Sequence, residues 1–459
     1  MITSTAFAGK RYAVLGLARS GAAAVESLLA SGAAVTAWDR QDVARAAFEG
    51  RCELADPLEI DLTGYDGLVV SPGVPLNTHP ITDHAAKCGV PIIGDIELFA
   101  QARGDLLPHT VVGVTGTNGK STTVALVHHI LQMAGIPSVL GGNIGEAILA
   151  QEPLAPNEQG SGVYVLELSS YQIDITHSLD CEAAAITNIT PDHLDRYDGF
   201  DGYAASKARL FEMQLARHLA VLGTLVSPCD AIFSVEQDRR VEGRAVTADT
   251  TTLAKLQREW PTLQGPHNLQ NVAVAVALVE ELGVTEAQWR HALPRFRNLP
   301  HRMEWIGEDG GVTFINDSKA TNAASTAPAL AAYPSNEKGP RIHWIVGGLA
   351  KEDGLGETEA ELANVAVAYT VGEAGPRFAE MLEERGVKVE RCELVSEAVR
   401  RAQDAATRGD VVLFSPACAS FDQFRDFEKR GEHFRQLVGV LADCEADGSP
   451  EIPPMGDAA

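Results

Sequence analysis

Long apolar runs are missing from this chain of 459 residues: no stretch approaches the roughly 20 residues that a membrane span requires. The first residues also lack a basic start followed by an apolar segment, so no secretory leader is expected and the chain is read as cytoplasmic. Positive charge is scarce. Lys and Arg number 37 against 62 Asp and Glu, a formal net charge of −25, which argues against nucleic-acid or membrane partners because both demand a basic face. Anionic small molecules can still be held, but only by local cations, so each lysine or arginine inside a motif is informative. The seven cysteines (Cys52, Cys88, Cys181, Cys229, Cys392, Cys418, Cys444) are odd in number, scattered and without a C-x-x-C pair. They read as reduced core residues, neither a disulfide framework nor a thiolate metal site. No short-period repeat is present.

What is present is enough apolar residue, 45%, to build several cores, and a length that suggests about three domains. The stretch V-T-G-T-N-G-K-S, Val114 to Ser121, organises the rest. An apolar run, His109 to Val114, predicts a buried strand; a loop with two glycines and a lysine follows, and Ser121 to Met133 has an uninterrupted helical pattern. Strand, glycine loop and helix together hold phosphate. Loop N–H groups and the positive helix end face the anion, Lys120 adds a full charge and the Ser121 hydroxyl is a Mg²⁺ ligand. The strict Walker pattern is broken once, because its first glycine would fall at position 114, which is valine.

Polar segments follow other expected strands. Arg11–Leu15, the turn Gly16 to Gly21, a helix over Ala22–Ala30 and a strand Val35–Trp38 ending at Asp39 form a βαβ unit, with the acidic residue about 20 positions after the turn, where a ribose hydroxyl is bound. Ala18 replaces the middle glycine of a dinucleotide cradle, which leaves a mononucleotide site, a nucleotide-sugar site or a structural turn. A strand Gly67–Val70 delivers Ser71-Pro72-Gly73 to the same edge. Gln101 to Pro108 reads as a linker. In the central part, Gly141 to Gly145 is expected as a loop, Val163–Leu168 as a strand carrying Glu167, and Ala183–Ile189 as a strand leading to Thr190-Pro191-Asp192-His193. A helix from near Asp201 holds Lys207. In the last part, strands Thr313–Asn316, Ile342–Val346 and Val411–Phe414 lead to Asp317-Ser318-Lys319, to Gly347-Gly348-Leu349-Ala350-Lys351 and to the segment from Ser415 to Asp422. The tail from Glu445, acidic and rich in proline and glycine, is expected to be disordered.

The ordered set T-G-T-N-G-K-S, E-L-S-S-Y-Q, N-I-T-P-D-H-L-D-R, H-N-L-Q-N, H-R-M-E, D-S-K-A-T-N and S-P-A-C-A-S-F-D-Q-F resembles the Mur ligases, and covers nearly the whole chain. The missing first glycine is the form this loop takes in that family. D-S-K-A-T-N and S-P-A-C-A-S-F-D-Q-F are similar to the members that add D-glutamate. The resemblance implies an α/β protein of three domains: an N-terminal Rossmann-like domain binding UDP (1–105), a central P-loop domain with a parallel sheet binding ATP (106–301), and a C-terminal Rossmann-like domain binding the amino acid (302–444), followed by the tail (445–459). It further implies formation of a peptide bond at the expense of ATP. The carboxylate of UDP-N-acetylmuramoyl-L-alanine would attack the γ-phosphate, and the amine of D-glutamate would attack the acyl phosphate through a tetrahedral intermediate.

Carried over by position, Gly116, Thr117, Asn118, Gly119, Lys120 and Ser121 would cradle ATP, with Lys120 on the β/γ-phosphates. Asn268, Asn271, Arg302 and Asp317 would also bind the nucleotide. Two Mg²⁺ ions are implied, with Mn²⁺ as an alternative: one on Ser121 and Glu167, the other on His193 and on Lys207 in carbamylated form, since an ammonium would repel the metal. Thr321, Lys351, Ser420 and Phe427 would hold D-glutamate, with Lys319 at the reacting centre and Ser415 as the competitor of Ser420. Ser20, Asp39, Arg40 and Gly73 would bind the uridine part, and Asn143 the sugar-diphosphate. A monomer is expected, and ligands shared among three domains imply closure before chemistry. Two rivals stand: another amide ligase of the same fold, such as folylpolyglutamate synthase, and a nucleotide-dependent binding or scaffold protein that keeps the P-loop without ligation, with little phosphate release that depends on both substrates.

Overall fold

The computed structural model describes residues 1–351 and 353–441; the tail expected from Glu445 lies outside the described residues. Residues Met1–Asp249 with Gln270–Ala292 form one compact unit, and Thr250–Leu269 with residues 293–441 form another.

The first unit carries two parallel sheets. One contains β1 (Arg11–Leu15), β2 (Ala34–Trp38), β3 (Glu53–Leu54), β4 (Gly67–Val70) and β5 (Ile92–Ile93) in the order β3-β2-β1-β4-β5. The other contains β6 (His109–Thr115), β7 (Ser138–Gly142), β8 (Gly162–Glu167), β9 (Ala183–Ile186), β10 (Leu219–Leu222) and β11 (Ala245–Thr247) in the order β11-β10-β9-β6-β8-β7. Strands β8 and β9 are buried along their whole length, the pattern of a parallel sheet covered by helices on both faces. In each sheet the chain reverses its direction of winding beside one strand, β1 or β6, and the crevice beyond such a strand end is where open α/β sheets bind ligands. The turn after β1 and the glycine loop after β6 lie there.

The two sheets share one apolar core that runs from Ile2, Phe7 and Val14 to Val111, Tyr164 and Leu222. The stretch from Gln101 to Pro108 is accordingly more ordered than a linker. The helix Asp95–Ala102 continues into a 3₁₀ turn, Arg103–Asp105, and Arg103 donates to Glu182 (2.7 Å). Glu97 of that helix is buried and accepts from the backbone N–H groups of His177 (2.7 Å) and Ser178 (2.9 Å) and from the Ser178 hydroxyl (2.7 Å).

The second unit is built on β12 (Glu304–Asp309), β13 (Val312–Asn316), β14 (Ile342–Gly347), β15 (Val365–Val371), β16 (Val389–Glu393) and β17 (Val411–Phe414), in the order β12-β13-β17-β14-β15-β16. β12 pairs antiparallel with β13 and the other pairs are parallel, so the sheet is mixed rather than wholly Rossmann-like. The ends of β13, β14 and β17, neighbours in the sheet, carry the polar segments that begin at Asp317, Gly347 and Ser415. Among the described residues no helix is long and apolar enough to cross a membrane.

Replacing Glu97 by alanine strands two N–H groups at the join between the first two sheets, at a cost of about 2–4 kcal/mol. Glu97→Ala is expected to lower the midpoint of the first urea-induced transition; an unchanged midpoint would show that the bonds contribute nothing.

Candidate active site

The glycine loop is held from below by the end of β9. Thr117 N–H donates to the Asn188 carbonyl (2.8 Å), Asn118 N–H to the Asn188 side chain (2.9 Å), and the Thr187 hydroxyl to the Asn118 carbonyl (2.6 Å). Gly116 has φ +145° and Gly119, which precedes the helix Lys120–Met133, has φ +85°. A Cβ on Gly119 would stand 2.2 Å from Oδ1 of Asn271, and one on Gly116 2.0 Å from the Thr187 hydroxyl. Loop residues must be glycine here for both reasons. Past them the first N–H groups of the helix have no intrahelical acceptor, which leaves an anion site backed by the positive end of the helix.

Two lysines meet beneath the loop. Lys120 Nζ donates to the carbonyls of Gly116 (2.8 Å) and Thr117 (2.9 Å), and Lys207 Nζ donates to the same Gly116 carbonyl (2.8 Å). Lys207 sits on the helix Gly199–Glu212, only 1% exposed, with Nζ 4.5 Å from the centre of the Tyr203 ring one turn earlier. Burial, with the neighbouring Lys120 charge pushing the same way, lowers the Lys207 amine to about 6. At neutral pH it is therefore largely uncharged.

Glu167 ends β8, in register with Val114 of β6. Its side chain is buried; Oε1 accepts from Asn143 Nδ2 (2.8 Å), whereas Oε2 has no partner among the described residues. A buried carboxylate oxygen without a donor is costly unless a cation serves it. Asn143, expected at the sugar-diphosphate, thus has its side-chain amide on Glu167. His193 is exposed, has φ +51°, and lies between Asp192 (3.5 Å) and the Tyr171 ring (5.2 Å). Ser121 and Asn271 are buried beside the loop. Among the described residues no group of three or more His, Cys, Asp or Glu is placed to hold a metal.

At the first sheet, Asp39 Oδ2 accepts from Leu17 N–H (2.7 Å) and Oδ1 from Gln41 N–H (2.9 Å). Ser71 donates to the Gly16 carbonyl (3.0 Å), which binds the two loops at the switch point together. Ser20 lies in the first turn of the helix Arg19–Ala30, and Arg40 and Gly73 are exposed.

In the second unit Asp317 is buried. Ser415 Oγ donates to its Oδ2 (2.8 Å) and Met303 N–H to its Oδ1 (3.0 Å); burial nonetheless raises its carboxyl to about 7. Arg302 is next to that contact, and its Nε is buried with no partner. Lys319 Nζ lies 4.0 Å from the centre of the Phe427 ring, and Lys351 donates to Thr321 (3.4 Å). Ser420 is buried, and Asn268 donates to the Gln264 carbonyl (3.1 Å). Ser415, the competitor of Ser420, has its hydroxyl on Asp317. Sequence reasoning missed Asn188 and Tyr203. The first stands within N-I-T-P-D-H-L-D-R, and the second is four residues from Lys207 on one helix face, a spacing that could have flagged it.

Residues 114–279 match the Mur ligase middle domain, and residues 301–418 the Mur ligase glutamate ligase domain. The UDP-N-acetylmuramoylalanine--D-glutamate ligase of Novosphingobium aromaticivorans is 61% identical over 98% of this chain and 100% of its own length. That of Zymomonas mobilis is 50% identical over 96% and 100%. Among solved structures, the UDP-N-acetylmuramate-alanine ligase of Thermotoga maritima superposes with a TM-score of 0.54 at 17% identity, covering 94% of this chain and 99% of its own. The MurF ligase of Thermotoga maritima, solved in complex with ADP, gives 0.53 at 17%, covering 95% and 96%. The structural likenesses establish the fold.

Two outcomes test this geometry. Gly119→Ala should weaken ATP binding about tenfold or more, read with a fluorescent ATP analogue, because it displaces both loop and Asn271; unchanged affinity would contradict the cradle. The second concerns stability. With its folded pKa depressed to about 6 from 10.5, Lys207 binds fewer protons folded than unfolded between those values, so stability rises with pH across that window and the penalty is full below it. In buffer free of carbon dioxide, Lys207→Met should therefore melt above wild type at pH 7, with the gap closing as pH rises toward 10.5. A gap independent of pH would contradict the depressed pKa.

Proposed function

We propose a reaction from one premise: the chain belongs to the Mur ligase family. It is an ATP-dependent ligase that joins D-glutamate to UDP-N-acetylmuramoyl-L-alanine in the building of peptidoglycan precursors. The observation that carries the chemistry is the meeting of Lys120 and Lys207 on one carbonyl beside the unpartnered oxygen of Glu167.

The alanyl carboxylate attacks the γ-phosphorus of ATP; the bond to ADP breaks and an acyl phosphate forms. The D-glutamate amine then attacks the acyl carbon, loses a proton, and phosphate leaves with its electron pair. Anionic nucleophile and triphosphate repel, so positioning and positive charge must do most of the work. Lys120 and the loop N–H groups hold the β/γ-phosphates, and Asn268, Asn271, Arg302 and Asp317 bind the rest of the nucleotide. Lys207, uncharged at neutral pH, is the form of lysine that adds carbon dioxide: an N–C bond forms, a proton leaves, and the product is an anionic carbamate. The carbamate, unlike the neutral amine, is attracted to Lys120.

The orphaned Glu167 oxygen and such a carbamate fit Mg²⁺. Ser121 and Glu167 would hold one ion and His193 and Lys207 another, neutralising phosphate charge and the attacking carboxylate; Mn²⁺ would serve the same ligands. Ser20, Asp39, Arg40, Gly73 and Asn143 serve the UDP-sugar. Thr321, Lys351, Ser420 and Phe427 serve D-glutamate, with Lys319 at the reacting atoms. The corresponding domains are 1–105, 106–301 and 302–444. On the same reading the chain works as a cytoplasmic monomer without nucleic-acid or membrane partners; its net charge of −25 supports both exclusions.

Phosphate release measured with each substrate omitted in turn tests this. Release is expected only when ATP, UDP-N-acetylmuramoyl-L-alanine and D-glutamate are all present. Release that persists without D-glutamate, or that needs another amino acid, would overturn it.

A further inference from the structure

Arg430 lies in the helix Phe427–Leu441, in a run F-E-K-R-G-E that reads as solvated surface, yet it is 2% exposed. Among the described residues its guanidinium has no carboxylate as a hydrogen-bond or ion-pair partner. All four of its bonds go to two loops: Nε to the Ser318 hydroxyl (3.1 Å), Nη2 to the Ser318 carbonyl (2.8 Å), and Nη1 to the carbonyls of Cys418 (3.0 Å) and Ala419 (3.2 Å). Burial lowers its pKa to about 10, against the opposing charge of the nearby Asp422, and it stays charged at any physiological pH. Taking a guanidinium out of water without a carboxylate hydrogen-bonded to it is costly, so a fold that keeps one uses it for something apolar packing cannot supply.

The bonded residues stand directly before the ones assigned to the amino-acid substrate. Ser318 precedes Lys319, and Ala419 precedes Ser420. The third loop is joined to the same point, since Leu349 and Ala419 exchange backbone hydrogen bonds (2.9 Å each way) two residues before Lys351. Ser318 also donates to the Phe427 carbonyl (2.8 Å), at the start of Arg430's own helix, and the Phe427 ring carries Lys319. One planar fork thus fixes the spacing of the loops that end β13 and β17, and the Leu349–Ala419 pair joins the loop after β14 to them.

We propose that Arg430 is a positioning residue for the D-glutamate site: its fork sets the separation of Lys319 and Ser420, and its buried charge adds positive potential for a dicarboxylate. This rests on the assignment of D-glutamate to these loops. Lysine cannot replace it, having a point charge and no rigid fork.

Arg430→Lys and Arg430→Met are each compared with wild type for the KM of all three substrates, kcat and thermal midpoint. The proposal expects the KM for D-glutamate to rise about tenfold to 100-fold in both, with the KM values for ATP and the UDP-sugar within about twofold and the fold retained. A lower midpoint with unchanged KM values, a uniform rise in all three, a fall in kcat alone, or failure of both variants to fold would each overturn it in favour of a structural staple. Wild type accepting a different amino acid would instead overturn the substrate assignment, and the same KM comparison on that amino acid would still test Arg430.

Discussion

Two cationic side chains directed at the carbonyl of Gly116 constrain everything else around the phosphate loop. A single carbonyl cannot neutralise two ammonium groups, and Lys207 is too buried for water to screen it. Burial and the Lys120 charge together lower the Lys207 amine to about 6, against the opposing charges of Asp192, Asp174 and Glu167. Lys120 and the buried amine of Lys207 thus share the Gly116 carbonyl beneath the loop. The helix carrying Lys207 meets the loop through the Tyr203 hydroxyl, 3.3 Å from that of Thr117, and the end of β9 meets it through Asn188 against the loop backbone.

The same economy of placement recurs in each sheet. Several candidate side chains sit at or just beyond the ends of adjacent parallel strands, where the sheet brings distant segments together without long loops. In the first sheet Ser71 ties its loop to Gly16; in the second Asn143 ties its loop to Glu167; in the third Arg430 and Ser415 tie three loops and Asp317 together. Side chains that could have faced a substrate are often occupied with these ties, which is why a residue's place in a motif does not reveal which of its atoms remain for a ligand.

The strand–loop–helix frame was legible where periodicity and buried length agreed: β1, β4 and β17 have the expected bounds, and β6 and the helix after it differ by one residue. β7 was hidden because its last two residues are the glycines of an expected loop, and the 2.8 Å bond from Asn143 N–H to the Glu167 carbonyl, just past its end, is invisible in sequence. β12 pairs antiparallel at a sheet edge and lacks a buried run, so no apolar signal marks it. Gln101 to Pro108 looked like a linker by composition, yet its arginine is bonded to Glu182, 79 residues away. At the site, residue types and motif order carried the reading. The burial of Lys207, the partnerless Glu167 oxygen and the clamp at Arg430 came only from tertiary packing, since lysine and arginine in polar helices usually remain in solvent.

The proposed uptake of carbon dioxide by Lys207 depends on its amine being lowered to about 6 by burial. Its most direct measurement is carbon-13 NMR of the protein equilibrated with labelled bicarbonate at neutral pH. The account predicts one carbamate carbonyl signal in wild type that vanishes in Lys207→Met; no signal at saturating bicarbonate, or one that survives the substitution, would contradict it.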